Sequence, residues 1–257
     1  MAQPDSSALT DPQARLSPHQ PLTLFYESAE QRPGFVRALF DTTAPSYDRV
    51  SWLLGGGTDR RYRREALVRA GLRPGMRLLD VASGTGLVLR AALSAGVAAS
   101  DITGLDPSHG MLQENRKHTT APLVQGVGER LPFSDQSFDF ISMGYALRHV
   151  EDINAFFREL LRVLKPRGRL LVLEIARPRS KIVARLIRWH LVGVIPFLAG
   201  FFNQRTQAKQ LMDYYWATIE NCVPPAQILA ALAGAGFCEV NQHLSGGFLS
   251  DYSAGKP

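Results

Sequence analysis

From Met76 onward the chain alternates short apolar runs with stretches of helical length, and that alternation limits the fold more than any other feature of the sequence. MRLLDVA (76–82), DITGLDP (101–107), PLVQGV (122–127), FDFISMGYAL (138–147) and GRLLVLEIA (168–176) read as strands, while LVLRAALSAG (87–96), HGMLQENRKH (109–118) and INAFFRELLRVLK (153–165) read as helices. Strands separated by helices pair in parallel through crossovers that cover both faces of the sheet. The crossovers are expected to be right-handed. Towards the end, PPAQILAALAGAGF opens with proline and closes with glycines, which predicts one more helix. CEVNQHL and FLSDYSAGK then flank SGG as a hairpin.

A chain of 257 residues with 45% hydrophobic content can build one large α/β domain. Residues 1–32 are rich in Pro, Ser and Gln and lack periodicity, so they are expected to form a flexible tail or a loosely docked cover before a domain spanning 33–257. Within that domain, FVRALFDTTAPSYDRVSWLL and the breaker at Gly55–Gly57 predict two hinged helices, a cover over 33–70. Residues 177–223 interrupt the strand–helix alternation with helical, apolar and aromatic sequence and form an insertion. The run RLIRWHLVGVIPFLAGFFNQR carries Arg188, His190 and Pro196, so it is expected to fall short of the roughly 18–20 apolar residues of a membrane span. The N-terminus lacks the pattern of a secretory signal.

The net charge of +6 raises the question of nucleic acid. The excess sits in two clusters, one of Arg60, Arg61, Arg63, Arg64, Arg69, Arg73 and Arg77, the other of Arg177, Arg179, Lys181, Arg185 and Arg188. Neither is interleaved with aromatic residues as a strand-tracking groove would be, and the first reads as a solvated helix face. No nucleic-acid partner is expected. Cys222 and Cys238 have no metal-ligand spacing, and two cysteines make no disulfide framework. A reducing, cytoplasmic setting without a resident metal follows.

LLDVASGTGLVLR sets Asp80, Gly84 and Gly86 between a strand and its helix, where a ligand meets backbone N–H groups and the positive helix end. A dinucleotide site would want a third glycine at Leu89, and a phosphate-binding loop would need a Gly-Lys-Ser or Gly-Lys-Thr; both are absent. Asp106 ends the next strand, where a carboxylate can take ribose hydroxyls. A ligand with a ribose and no pyrophosphate fits.

LDVASGTG followed by GLDPSHGML resembles the S-adenosyl-L-methionine site of class I methyltransferases. That resemblance implies a Rossmann-like, doubly wound, seven-stranded, mostly parallel sheet with a C-terminal antiparallel hairpin. It also implies a cofactor site of Tyr47, Asp80, Gly84, Thr85, Gly86, Asp106, Val127, Gly128 and Gly144. GVGERLPF departs from the family's GDAEALPF by placing Val127 where an acid reads the adenine amino group, leaving that task to backbone or to Glu129. Tyr47, in APSYD, either touches the cofactor or is a core tyrosine of an amphipathic helix.

FISMGYALRHVED (140–152) breaks from apolar residues into Arg148 and His149 at the carboxyl end of the fourth strand, the edge at which such sheets bind ligands. Arg148 could pair with Glu151 or Asp152, and His149 could cap a helix; both could instead serve chemistry. FDTTAPSYDRVSWLLGGGTDRRYRREAL, YALRHVEDINAFFRELLRVLKPRGRLLVLE and LSGGFLSDYSAGK resemble the ubiquinone/menaquinone C-methyltransferase family over most of residues 35–257. The family's FGLRN matches here at Arg148, with Tyr145, Ala146 and His149 as departures. The resemblance implies methylation of a quinol or phenol ring, with Arg148 stabilising a developing phenolate and His149 or a water taking the proton. Methylation of another hydrophobic phenol and a non-catalytic cofactor-binding subunit are the rival expectations. Basic and apolar residues in 177–202 suit shallow docking at the inner face of a membrane, a self-packed cap or a homodimer surface.

Overall fold

The computed structural model describes residues 14–55, 57–178 and 180–257. The expectations that fall on residues 1–13, Gly56 and Arg179 lie outside it. Strands β1 (Leu78–Val81), β2 (Ile102–Asp106), β3 (Leu123–Gln125), β4 (Phe138–Gly144), β5 (Leu164–Ile175), β6 (Cys238–Ser245) and β7 (Leu249–Gly255) form one sheet of order β3-β2-β1-β4-β5-β7-β6. The first five are parallel, and β7 runs antiparallel to both β5 and β6. This is the expected doubly wound sheet with its terminal hairpin. The chain leaves β1 first towards β2 and later crosses to β4, so the order reverses at β1 and opens a crevice over its carboxyl end.

Burial explains why these runs are strands. Every residue of β1 is buried, and β4 and β5 are buried through most of their length, as strands covered on both faces must be. Helices α1 (Arg32–Gly55), α2 (Asp59–Arg69), α3 (Leu87–Ser94), α4 (His109–Arg116) and α5 (Ile153–Val163) precede or connect them. Helix α5 buries Ile153, Phe156, Phe157, Leu160 and Val163 at helical spacing and begins where Asp152 accepts the Asn154 N–H. Ser108 caps α4 in the same way. Strand β5 starts at Leu164, four residues before the expected start, because Leu164 already pairs with Phe138 on β4.

The insertion folds as α6 (Lys181–Arg188), a π-helical stretch (Trp189–Val194), α7 (Ile195–Gly200) and α8 (Arg205–Asn221); α9 (Pro225–Gly234) follows. α1 packs with α8 around a second core that includes Val36, Leu39, Leu191, Leu211 and Ile219. Contrary to the sequence expectation, Lys181–Gly200 is long and apolar enough to cross a membrane by length and composition, since the helix runs on through His190 and Pro196. Pro196 is the second residue of α7, directly after the π-helical stretch.

Residues 14–31 are not a free tail. The Leu16 N–H donates to Asp152, the Leu16 carbonyl accepts from Ile153, and the Pro18 carbonyl accepts from Val223. His19 and Tyr26 are buried, and Arg32 donates to the Val150 carbonyl. The segment lacks helical or strand periodicity because it uses its backbone groups to bridge other elements.

Candidate active site

The loop after β1 is a sharp turn. Ala82, Gly84 and Gly86 have φ of 54°, 53° and 86°, in the left-handed region. A Cβ on Gly86 would lie 2.3 Å from Asn115 Oδ1, so glycine is obligatory there. A Cβ on Gly84 would meet only the Met111 sulfur at 4.0 Å, which leaves its face open to a ligand.

Two cavities adjoin above the sheet. The first, about 940 Å³ including its mouth, lies over the carboxyl ends of β1, β2 and β4, with Gly84, Asp106, Val127, Gly128, Gly144 and His149 in its wall. The second, about 1210 Å³ including its mouth, lies between α1, α2, the insertion and the β6–β7 hairpin, with Leu54, Arg63, Ile175, Leu186, Leu191 and Phe248 among its walls. Tyr47, Tyr145 and Tyr215 belong to both. The Tyr47 and Tyr215 hydroxyls are 2.8 Å apart. Burial raises the pKa of each, so both stay protonated. Tyr145 holds φ of 61°, an uncommon conformation for a side chain of its size.

Of the nine expected cofactor-binding residues, Tyr47, Gly84, Asp106, Val127, Gly128 and Gly144 line the first cavity. Asp80, Thr85 and Gly86 are not among its lining residues. Asp106 accepts the Gly84 N–H on Oδ2 and the Ser108 N–H on Oδ1, each at 2.8 Å, which fixes its carboxylate across the loop. Burial raises its pKa to about 6 against those two bonds. Asp80 accepts the Ser142 hydroxyl on Oδ1, and its buried Oδ2 has no partner among the described residues. Desolvation raises Asp80 to about 7. The Thr85 hydroxyl donates to Asp48 at 2.5 Å, and Arg90 holds the other Asp48 oxygen, tying the loop to α1. Glu129 lines the cavity beside Val127 and accepts the Glu151 N–H, with its pKa raised by burial.

The two expected catalytic residues part ways. His149 lines the first cavity, stacked on Tyr214 at a centroid distance of 5.4 Å with the Phe40 edge against it, and its Nε2 has no partner among the described residues. Desolvation, then the neighbouring Arg148 and Arg32, push its pKa well below the usual histidine value, so it is neutral. Arg148 lines neither cavity. It is fully buried, donates from Nη1 to Glu174 and from Nε to Thr218 Oγ1 at 3.1 Å, and lies 5.2 Å from the centre of the Tyr215 ring. Burial opposes its charge, but Glu174 and the adjacent tyrosines outweigh that and raise its pKa. Its partner is therefore Glu174, at the end of β5, and neither Glu151 nor Asp152; Asp152 is occupied as the cap of α5.

Sequence reasoning also passed over Arg63. It stood in a cluster read as a solvated face, yet α2 turns Arg63, Ala66 and Leu67 inward together. Glu174 carried a signal that went unused, an acid closing the buried run LLVLE.

The site fits an adenosyl sulfonium with an amino-acid arm: an open glycine, a fixed carboxylate at the end of β2 and an unpartnered acid oxygen at β1. Comparisons with known proteins agree. The model of the ubiE/COQ5 methyltransferase family matches residues 26–256. The chain is 33% identical over 215 residues to the ubiquinone/menaquinone biosynthesis C-methyltransferase UbiE of Geotalea daltonii, covering 81% of this chain and 90% of that protein. It is 34% identical over 230 residues to the demethylmenaquinone methyltransferase of Corynebacterium kroppenstedtii, covering 89% and 97%. A Thermotoga maritima S-adenosylmethionine-dependent methyltransferase, a possible histamine N-methyltransferase, superposes with a TM-score of 0.59 at 20% identity, over 86% of this chain and 99% of that one. Phosphoethanolamine N-methyltransferase 2 of Haemonchus contortus, solved with S-adenosyl-L-methionine, gives 0.54 at 17% identity over 77% and 52%. The chain belongs to the ubiE/COQ5 methyltransferase family and is an S-adenosyl-L-methionine-dependent methyltransferase.

Proposed function

We propose that the enzyme methylates a ring carbon of a hydrophobic quinol, a reading supported by relatives named ubiquinone/menaquinone biosynthesis C-methyltransferase and demethylmenaquinone methyltransferase. The observation that carries this reading is the adjacency of the two cavities: one holding the cofactor residues and one walled by Leu54, Ile175, Leu186, Leu191 and Phe248 meet at Tyr47, Tyr145 and Tyr215.

Tyr47, Asp80, Gly84, Thr85, Gly86, Asp106, Val127, Gly128 and Gly144 would hold the cofactor, with Asp106 offering its remaining lone pairs to the ribose. When bound, the cofactor supplies a methyl group on a sulfonium, already a good leaving group. The protein's task is then to raise electron density at the acceptor carbon and to exclude water. His149 is a neutral imidazole beside the cavity, able to take the proton of an acceptor hydroxyl. Arg148 acts at one remove. It holds Tyr215 and α8 in place through the Glu174 and Thr218 contacts, and its positive charge adds to the desolvation that lowers the His149 pKa. One hydroxyl of the Tyr47–Tyr215 pair donates to the other, which leaves the second hydroxyl of the pair and that of Tyr145, kept protonated by burial, to donate to the ring oxygens as negative charge develops.

The insertion supports a membrane-borne acceptor. Ile182, Leu186, Trp189, Phe197, Phe201 and Phe202 are exposed beside Lys181, Arg185 and Arg188, and only 22% of the apolar stretch is buried. The same stretch contributes Leu186, Ile187 and Leu191 to the second cavity. Shallow docking on anionic lipid at the inner face of the membrane would bring the cavity to the bilayer.

The test is turnover by the purified protein of a reduced demethylnaphthoquinone in anionic vesicles with S-adenosyl-L-methionine, followed by mass spectrometry. A product one methyl heavier is expected, with the label on a ring carbon. No product, or a methyl ether, overturns the reading.

A further inference from the structure

We propose that Arg63 is the anion-binding residue at the junction of the two cavities, taking a ligand carboxylate or phenolate oxygen on its terminal nitrogens. The inference rests on the methyl-transfer reading above. Arg63 is buried, with 4% of its surface exposed, and its neighbours keep it charged: burial opposes the charge, while Asp59 and then Tyr145 and Tyr47 more than offset it. Nε donates to Asp59 Oδ2 at 2.7 Å. Among the described residues the guanidinium makes no other hydrogen bond, so both terminal nitrogens lack an acceptor.

A guanidinium with one edge satisfied and a cavity beside it has N–H donors to offer an anion there. The surroundings say where that partner sits. One face of the guanidinium lies 4.6 Å from the centre of the Tyr145 ring, and the residue lines the second cavity. A Cβ on Gly144 would come within 2.7 Å of Nη1, so the cation reaches the end of β4 because a bare glycine lets it. Gly144 itself lines the first cavity. Arg63 thus touches the cofactor side through Gly144 and the acceptor side directly. Arg148, by contrast, lines neither cavity: it is held by Glu174 and Thr218 behind Tyr215, and its Nη2, unpaired among the described residues, is enclosed there.

The planar fork of an arginine suits a two-oxygen anion or a single phenolate. Two sources offer such an oxygen: the α-carboxylate of the cofactor's amino-acid arm and the ionised hydroxyl of the acceptor ring. An isolated helix pair of Asp59 and Arg63 would bind neither.

The test uses the full chain as R63Q and R63K. Calorimetry compares S-adenosylhomocysteine, which carries the carboxylate, with methylthioadenosine, which lacks the amino-acid arm. Absorbance titration follows the ionisation of 4-nitrophenol in the presence of S-adenosylhomocysteine. For the carboxylate source, R63Q weakens S-adenosylhomocysteine about tenfold with methylthioadenosine unchanged, the loss of one charge-assisted contact. For the phenolate source, the apparent pKa of the bound phenol rises by about one unit in R63Q with S-adenosylhomocysteine unchanged. R63K recovers part of either effect, and it alone decides the matter where R63Q does not fold. Unchanged behaviour in both arms, or an equal loss for both nucleosides, overturns the proposal. Failure of the parent protein to bind S-adenosylhomocysteine is a separate result, which overturns the cofactor assignment.

Discussion

Tyr47 of α1 and Tyr215 of α8 meet hydroxyl to hydroxyl at 2.8 Å, and this contact stands where the first cavity adjoins the second. It joins the N-terminal cover to the insertion. Tyr47→Phe and Tyr215→Phe are each expected to cost about 1 kcal/mol of stability, the net value of one buried hydrogen bond. The double variant is expected to cost less than the sum, since the second hydroxyl has already lost its partner. Urea denaturation of the four proteins measures the coupling.

Arg148 and Glu174 form a buried ion pair, and removing one partner strands the other. Glu174→Gln and Arg148→Met are each expected to destabilise by about 3–5 kcal/mol, with the double variant regaining part of that loss. Turnover is expected to fall in all three. Affinity for S-adenosylhomocysteine is expected to survive in whatever fraction remains folded, because Arg148 lines neither cavity. Denaturation curves and calorimetry separate the two effects.

The buried carboxylates make the ligand-free protein sensitive to pH in a definite direction. Asp80 rises from 3.8 to about 7, and Asp106 from 3.8 to about 6. A folded pKa above the unfolded one means the native state holds extra protons between the two values, so stability is fully present below pH ~4 and declines as pH rises towards 7. Asp80→Asn is expected to flatten that decline. His149 has the opposite sign: its pKa is lowered from 6.5, so its contribution is present above that value and is lost as pH falls below it. Melting temperatures of the parent, Asp80→Asn and His149→Gln between pH 4 and 8 test both signs.

The exposed aromatic residues of the insertion carry the membrane reading. Trp189→Ser with Phe201→Ser is expected to abolish flotation with anionic vesicles while leaving turnover of a short-tailed soluble quinol intact. Arg185→Gln with Arg188→Gln is expected to weaken flotation and its salt dependence. Concentration-dependent dimerisation without flotation would assign the same face to a second copy of the chain.

How much of this the sequence displayed depends on the range over which each residue's role is decided. The strands were legible because their apolar runs sit between turn residues, so local pattern and global burial agree. Gly84, Gly128, Gly144 and Asp106 were legible for the same reason, each lying on the loop or strand end that its neighbours define. Arg63 was hidden because six other arginines in its cluster suggested solvent, and only its phase with Ala66 and Leu67 points inward. The burial of Arg148 depends on Glu174, 26 residues away, and on Thr218, 70 residues away. No local rule links them. The packing of residues 14–31 was likewise invisible, since its hydrogen bonds reach residues 152, 153 and 223.

That last segment bears on how the molecule assembles. Leu16 and Pro18 leave the ribosome early, but the groups they bridge, Asp152, Ile153 and Val223, are made long afterwards. Contacts of such large sequence separation close late, after shorter loops have formed. A stretch made earlier in the chain is therefore set in place late, as a latch across elements already folded.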